Sequence, residues 1–222
     1  MARDEAPPFA RGETYYNGQP IDQADPQGLG GVNLEGKEFT FEPNSQDQMA
    51  TYPAASDPNG RPIRVRVVRN RSGVNMKPAR VIHYDAGGTF TFNNATVGPF
   101  NYETGIDGYC YQGVTDRPAG TVDEFLPAAG VPPWDLFYIV IDGPGQAVNQ
   151  HASPITVTPG LRLVPAATGA SRTDDLAGRV ALQDLTGATG TLGNNIQNSV
   201  GFADASNSTA DALFNIIVRY SD

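Results

Sequence analysis

The sequence predicts an all-β chain: a β-barrel or β-sandwich body with an extended N-terminal arm and little helix. Three observations point there. Glycine and proline occupy 25 and 18 of the 222 positions, well above the roughly 12% that the two share in an average domain. Each opposes a helix interior, Gly by ~1 and Pro by ~3 kcal/mol relative to Ala. Short apolar runs, several alternating polar with apolar, recur along the chain with turn-forming residues between them, the pattern of a sandwich or barrel. A chain of this length also buries about 70% of its unfolded surface, so one generous domain needs no staple. Cys110, the single cysteine, could form none within the chain.

Taken in order, residues 1–36 read as an arm. Pro7, Pro8, Pro20 and Pro26 and several glycines interrupt them, and no apolar period develops. Phe9, Tyr15, Tyr16, Ile21 and Leu29 are nevertheless spaced through the arm. A frayed terminus is the plain reading; the spaced side chains favour the other, an extended segment laid across a partner surface with them as anchors.

The body, 37–222, divides into an added β segment over 37–103 and a second module over 104–220. Lys37 to Glu42 alternates polar with aromatic and predicts a strand, followed by a loop over 43–62. Ile63 to Arg69 is the clearest strand, with Ile63, Val65 and Val67 on one face and Arg64 and Arg66 on the other. Strands are predicted at 80–84 and 89–92, split by a hairpin-like turn at Asp85–Gly88. Further strands follow at 109–112 and 122–126. Trp134 to Ile141 is nearly all apolar, which predicts a central strand buried on both faces and ended by the turn Asp142-Gly143-Pro144-Gly145. Short strands at 146–149, 155–158, 161–164 and 178–183 lead to the last, 213–220. Only 191–204 has the composition for a short helix.

Charge divides the chain into three. Residues 1–60 hold three basic and ten acidic side chains, residues 61–84 seven basic and none acidic, and residues 85–222 five basic and fourteen acidic. An acidic molecule with one basic band is a poor nucleic-acid binder. The band holds six arginines and Lys77, and a planar guanidinium fork suits carboxylates. Arg64, Arg66, Arg69 and Arg71 are therefore candidate contacts to an acidic surface, a sister subunit or another protein. A solvent-facing strand edge whose charges suppress aggregation explains the band equally simply.

Catalytic constellations are thin. His83 and His151 belong to no metal-binding spacing, and neither a nucleophile elbow nor a phosphate loop occurs. Asp123 and Glu124 are neighbours on a predicted strand, where they face opposite ways and do not converge. Cys110 reads as a small buried hydrophobe. The expectation is a non-enzyme with no cofactor and no metal. No apolar stretch predicts a secretory leader or a membrane span, so the chain is expected to be made in a cytoplasm.

Four segments then fall into a familiar order: Asp135 to Ile141, Gly160 to Gly169, Ala177 to Asp184, and the apolar strand 213–220. The series resembles the capsid cement, or head decoration, proteins of tailed bacteriophages over roughly residues 104–220. The resemblance implies a small β-barrel or β-tulip module and a non-enzymatic virion protein on the outer surface of the capsid. It further implies the major capsid protein as partner, commonly with homotrimers at local three-fold positions, and neither nucleic acid nor membrane. A β-sandwich module for carbohydrate or receptor recognition is the competing expectation, with Tyr15, Tyr16, Tyr109, Tyr111 and Trp134 as stacking faces. A loop-built hydrolase, or another phage part such as a tail or head-completion protein, is a further one.

Overall fold

A computed structural model describes residues 7, 9, 11–14, 36–41, 61–84, 90–92, 95–97, 105–110, 118–151, 156–166, 171, 173, 175–183 and 199–220. Among them every regular element is a strand. β1 is Glu38–Phe41, β2 Ile63–Asn70, β3 Val81–Tyr84, β4 Phe90–Phe92, β5 Ala95–Val97 and β6 Gly105–Tyr109. β7 is Pro118–Val122, β8 Leu136–Val148, β9 Arg162–Pro165, β10 Val180–Leu182, β11 Gly201–Ala203 and β12 Leu213–Arg219. The all-β prediction holds.

Ten strands form one sheet that curls until it meets itself. β2 pairs β6, β6 pairs β3, β3 pairs β7, β7 pairs β8, and β8 returns to β2, closing a ring of five. From β8 the sheet also runs outward through β12, β11 and β9 to β10. β1 lies along the first half of β2, with Glu38 opposite Arg66 and Phe41 opposite Ile63. Among the described residues β4 and β5 pair with each other alone.

Strand alternation divides the interior into two cores. Phe137, Ile139 and Ile141 of β8 join Val68, Ile82, Ile106 and Val122 in the core enclosed by the ring strands. Leu136, Tyr138 and Val140 face the other way, into a core shared with Ile63, Val65, Val67, Phe214, Ile216 and Val218. β8 is buried on both faces from Leu136 to Ile141, as its unbroken apolar run predicts.

The same strand carries a correction. The Asp142-Gly143-Pro144-Gly145 signal ends nothing, because β8 runs through it to Val148 and absorbs the strand predicted at 146–149. What the glycines serve is a bulge. Arg64 pairs with Asp142 while Val65 pairs with Val140, leaving Ile141 as the extra residue. One extra residue exchanges the two faces, so Ala147 packs in the same core as Val140 although their numbers differ in parity. Gly143 adopts φ +105°, and a Cβ there would lie 2.5 Å from the Pro62 carbonyl oxygen. Beyond Asp142 the register with β2 has ended, so Pro144 leaves no ladder bond unmade on that side.

Other boundaries shift for related reasons. Strands β3 and β4 are not a hairpin: β3 pairs β6 and β7, and the Asp85–Gly88 segment lies outside the described residues. The strand predicted at 122–126 does not form: β7, over Pro118–Val122, ends where it was to begin, and residues 124–125 turn. The strand predicted at 109–112 is β6, ending at Tyr109. Of the strand predicted at 155–158, the described residues 156–158 form a single bridge, Val157 to Asn207. In the 191–204 segment, 201–203 is a strand paired to both β12 and β9, and 191–198 lie outside the described residues. No helix of the described residues is long and apolar enough to cross a membrane.

Candidate functional site

The arginine band does not form one surface. On β2 the pleat sends Arg64 and Arg66 outward, where one carboxylate of the same chain meets both. Arg64 Nη2 donates to Glu38 Oε2 at 2.7 Å, and Arg66 donates to Glu38 Oε1 through Nε at 3.0 Å and also through Nη2. Partial burial opposes the charge on Glu38, but the hydrogen bonds from Arg66 and Arg64 and their positive charge outweigh it and hold the carboxyl below its usual range. Two guanidinium groups thus meet on one carboxylate of the same chain.

Arg69 requires a correction. It has the parity of Ile63, Val65 and Val67, so alternation carries it inward with them, and it is fully buried. Its Nη1 donates to the Trp134 carbonyl oxygen at 2.7 Å, tying β2 to the residue that leads into β8. Arg69 is enclosed by the fold. Arg71 is half-buried, with its guanidinium over Gly105, where a Cβ would approach Nη1 to 2.5 Å. Only Arg64 and Arg66 of the four candidates share a face and an exposed ligand.

Phe9 is the other candidate among the described residues that lies inside the fold. It is buried, and what it anchors to is its own chain. Its ring stacks on Tyr138 at 4.2 Å and 20°, and the Tyr138 hydroxyl donates to the Phe9 carbonyl oxygen at 3.0 Å. Phe39 and Phe41 of β1 meet the same tyrosine edge-on at 6.4 and 5.6 Å. Tyr138 is thus a hub where β8, β1 and the N-terminal segment converge. Burial pushes its hydroxyl pKa well up, which keeps it a donor. Tyr15 and Tyr16 lie outside the described residues.

Next to Phe9 the structure builds a site from residues predicted not to meet. Arg11 Nη2 donates to Asp123 Oδ1 at 2.9 Å and to Glu124 Oε2 at 2.8 Å, and the Gly12 amide donates to Asp123 Oδ2 at 2.7 Å. The guanidinium also lies 4.6 Å from the Phe125 ring centroid. Side-chain exposures are 3% for Arg11, 1% for Asp123 and 6% for Glu124. The carboxylates converge because β7 has already ended: strand alternation no longer applies at Asp123, and the turn brings both side chains to one point.

Electrostatically the seat holds two carboxyl groups against one guanidinium. Desolvation disfavours the charge on Arg11, but Asp123 and Glu124 outweigh it and raise its pKa. Desolvation dominates at Glu124 and pushes its carboxyl above the usual range, with Asp123 adding to the shift and Arg11 opposing it. Arg11 itself went unremarked in the sequence. The signal was there in an arginine beside Phe9 and a carboxylate pair followed closely by Pro127, which favours a turn.

The histidines occupy separate places. His83 is fully buried in β3, as a structural imidazole would be. His151 Nδ1 meets Asp211 Oδ2 at 2.5 Å, and Arg179 Nε donates to Asp211 Oδ1 at 2.6 Å. The hydrogen bond from His151 lowers the Asp211 pKa; desolvation opposes the shift and Arg179 adds to it. His151 and Asp211 are exposed and Arg179 is buried, so one carboxylate bridges a surface imidazole to a guanidinium inside the fold. No three metal-ligating side chains converge among the described residues. Cys110 is buried. Tyr109 is buried too, its hydroxyl donating to the Asn75 carbonyl oxygen at 3.0 Å, so it offers no stacking face.

Comparison with protein-family models and with curated proteins gives no match for this chain.

Proposed function

We propose that this protein is a virion structural protein, a decoration protein that binds the outer surface of an assembled phage head and stabilises it without catalysis. The reading rests on the arrangement of the segments that resemble the cement family. Asp135 to Ile141 enters β8, Gly160 to Gly169 contains β9, Ala177 to Asp184 contains β10, and 213–220 contains β12. Separated in sequence, they lie together in the stretch β8-β12-β11-β9-β10 of one sheet. A shared module predicts this contiguity, whereas a chance likeness of four short patterns does not require it.

The partner is the major capsid protein, contacted by copies of this chain arranged as a homotrimer. The edge that carries the exposed Arg64 and the partly buried Arg66 suits an acidic capsid surface. A ligand that binds only the assembled shell stabilises it by mass action, and a trimer multiplies weak contacts. Neither nucleic acid nor membrane enters this reading.

Sedimentation of the full chain with purified expanded heads of the phage that carries its gene tests it. Saturable co-sedimentation is expected, weakened about tenfold by the double change Arg64→Glu and Arg66→Glu, a loss of ~1.4 kcal/mol. A chain that stays in the supernatant at all head concentrations overturns the proposal.

A further inference from the structure

The seat of the N-terminal segment has the construction of a peptide-binding site. Phe9 supplies an aromatic anchor to Tyr138, and Arg11 a buried cation to Asp123 and Glu124. The main chain is held at two points, the Phe9 carbonyl by Tyr138 and the Gly12 amide by Asp123. These hydrogen bonds join residues more than a hundred positions apart in sequence, from 111 for Gly12–Asp123 to 129 for Tyr138–Phe9. Nothing in them depends on which chain supplies the segment.

We propose that the seat formed by Tyr138, Asp123 and Glu124 also receives the Phe9–Gly12 segment of a second copy of this chain, joining copies through exchanged N-terminal segments. The inference rests on the oligomeric part of the decoration reading.

Sequence length permits the exchange. Residues 15–35 separate the seated segment from the approach to β1, and 21 residues reach up to ~70 Å when extended. A globular chain of this length has a radius of gyration of ~17 Å, so the tether reaches a neighbour's seat. Seating in cis and in trans makes the same contacts, and the two differ only in effective concentration, about millimolar for a short tether. Copies held side by side on a shell reach that range. Charge selects the occupant: each copy is acidic overall, at −9, and the seat carries two carboxyl groups, so it favours the arginine-bearing segment over acidic surface. Exchange also gives two mutually repelling molecules a defined attractive contact.

Two full-length variants of different mass label test this. Arg11→Glu spoils the segment and leaves the seat, while Glu124→Lys spoils the seat and leaves the segment. Native mass spectrometry of an equimolar mixture is expected to show heterodimers at least tenfold above the dimer signal of either variant alone, because the intact segment of one fits the intact seat of the other. The milder pair Arg11→Gln and Asp123→Asn, the second of which puts an amide NH2 where Asp123 accepts from both Arg11 and the Gly12 amide, is expected to complement in the same direction if charge reversal prevents folding. A mixture without heterodimers overturns the exchange, as does a wild-type oligomer whose mass and subunit-exchange rate are unchanged by Arg11→Glu. Head binding is read separately. Full head binding without complementation removes the exchange alone, and complementation without head binding supports exchange and removes the decoration reading alone.

Discussion

Tyr138 holds Phe9 twice, by a ring stack at 4.2 Å and by a hydrogen bond of 3.0 Å from its hydroxyl to the Phe9 carbonyl oxygen. The two contacts join the N-terminal segment to the fully buried first part of β8. They separate experimentally. Tyr138→Phe keeps the stack and loses the hydrogen bond, for a cost of about 1 kcal/mol. Phe9→Ala loses the stack and the burial, for ~3 kcal/mol. Urea unfolding reads both, and amide exchange at Gly12, bonded to Asp123, is expected to accelerate more in Phe9→Ala. Equal and negligible effects would show the segment unseated.

Glu124 gives the seat a pH dependence. Its folded pKa lies above the unfolded value, so its contribution is fully present below the unfolded pKa of ~4.3 and is lost as pH rises through the folded pKa. Glu124→Gln keeps an acceptor for Arg11 and removes the surplus charge. The variant is expected to be more stable than wild type at pH 8, by about 1 kcal/mol, and to lose that advantage toward pH 4. Unfolding midpoints across this range check it. A wild type that gains on the variant as pH rises would contradict the desolvation account.

Arg64 and Arg69 belong to the same basic band but do different things. Arg69→Met leaves the Trp134 carbonyl oxygen without its buried donor, at a cost of ~2 kcal/mol. Arg64→Ala breaks an exposed pair with Glu38 and costs less than ~0.5 kcal/mol. Thermal unfolding of the two variants is expected to rank them in that order, and a reversed order would refute the assignment of Arg69 to the core.

Gly143 tests the bulge. An alanine there needs an unfavourable positive φ and places its Cβ 2.5 Å from the Pro62 carbonyl oxygen, so Gly143→Ala is expected to cost more than ~2 kcal/mol. Gly160 also has positive φ, +86°, but open space around its Cβ position, so Gly160→Ala is expected to cost ~1 kcal/mol. Comparable losses in denaturant midpoint would mean that conformation alone, without the close approach, decides both.

Much of the fold was legible in local pattern. Ile63 to Val67 alternates because one face meets a core and the other water, and Leu136 to Ile141 is uniformly apolar because it has a core on each side. The misreadings arose where a tertiary neighbour changed what a local signal meant. Asp142 to Gly145 has turn residues, yet the pairing with β12 runs through it and converts the turn into a bulge. Asp123 and Glu124 were assigned opposite faces of a strand that stops one residue earlier.

The sequence by itself determined the class of the protein. Frequent Gly and Pro oppose helices, and short apolar runs require sheet partners; both are properties of residues and their immediate neighbours. Only the tertiary structure decided what Phe9, Arg11 and Arg69 do. An aromatic or arginine that could anchor to a partner anchors equally well to its own chain, and the choice depends on residues more than a hundred positions away for Phe9 and Arg11 and sixty-five away for Arg69. Desolvation then fixes the outcome, because a buried guanidinium persists only where the fold brings it acceptors. Local sequence pattern does not contain that distance.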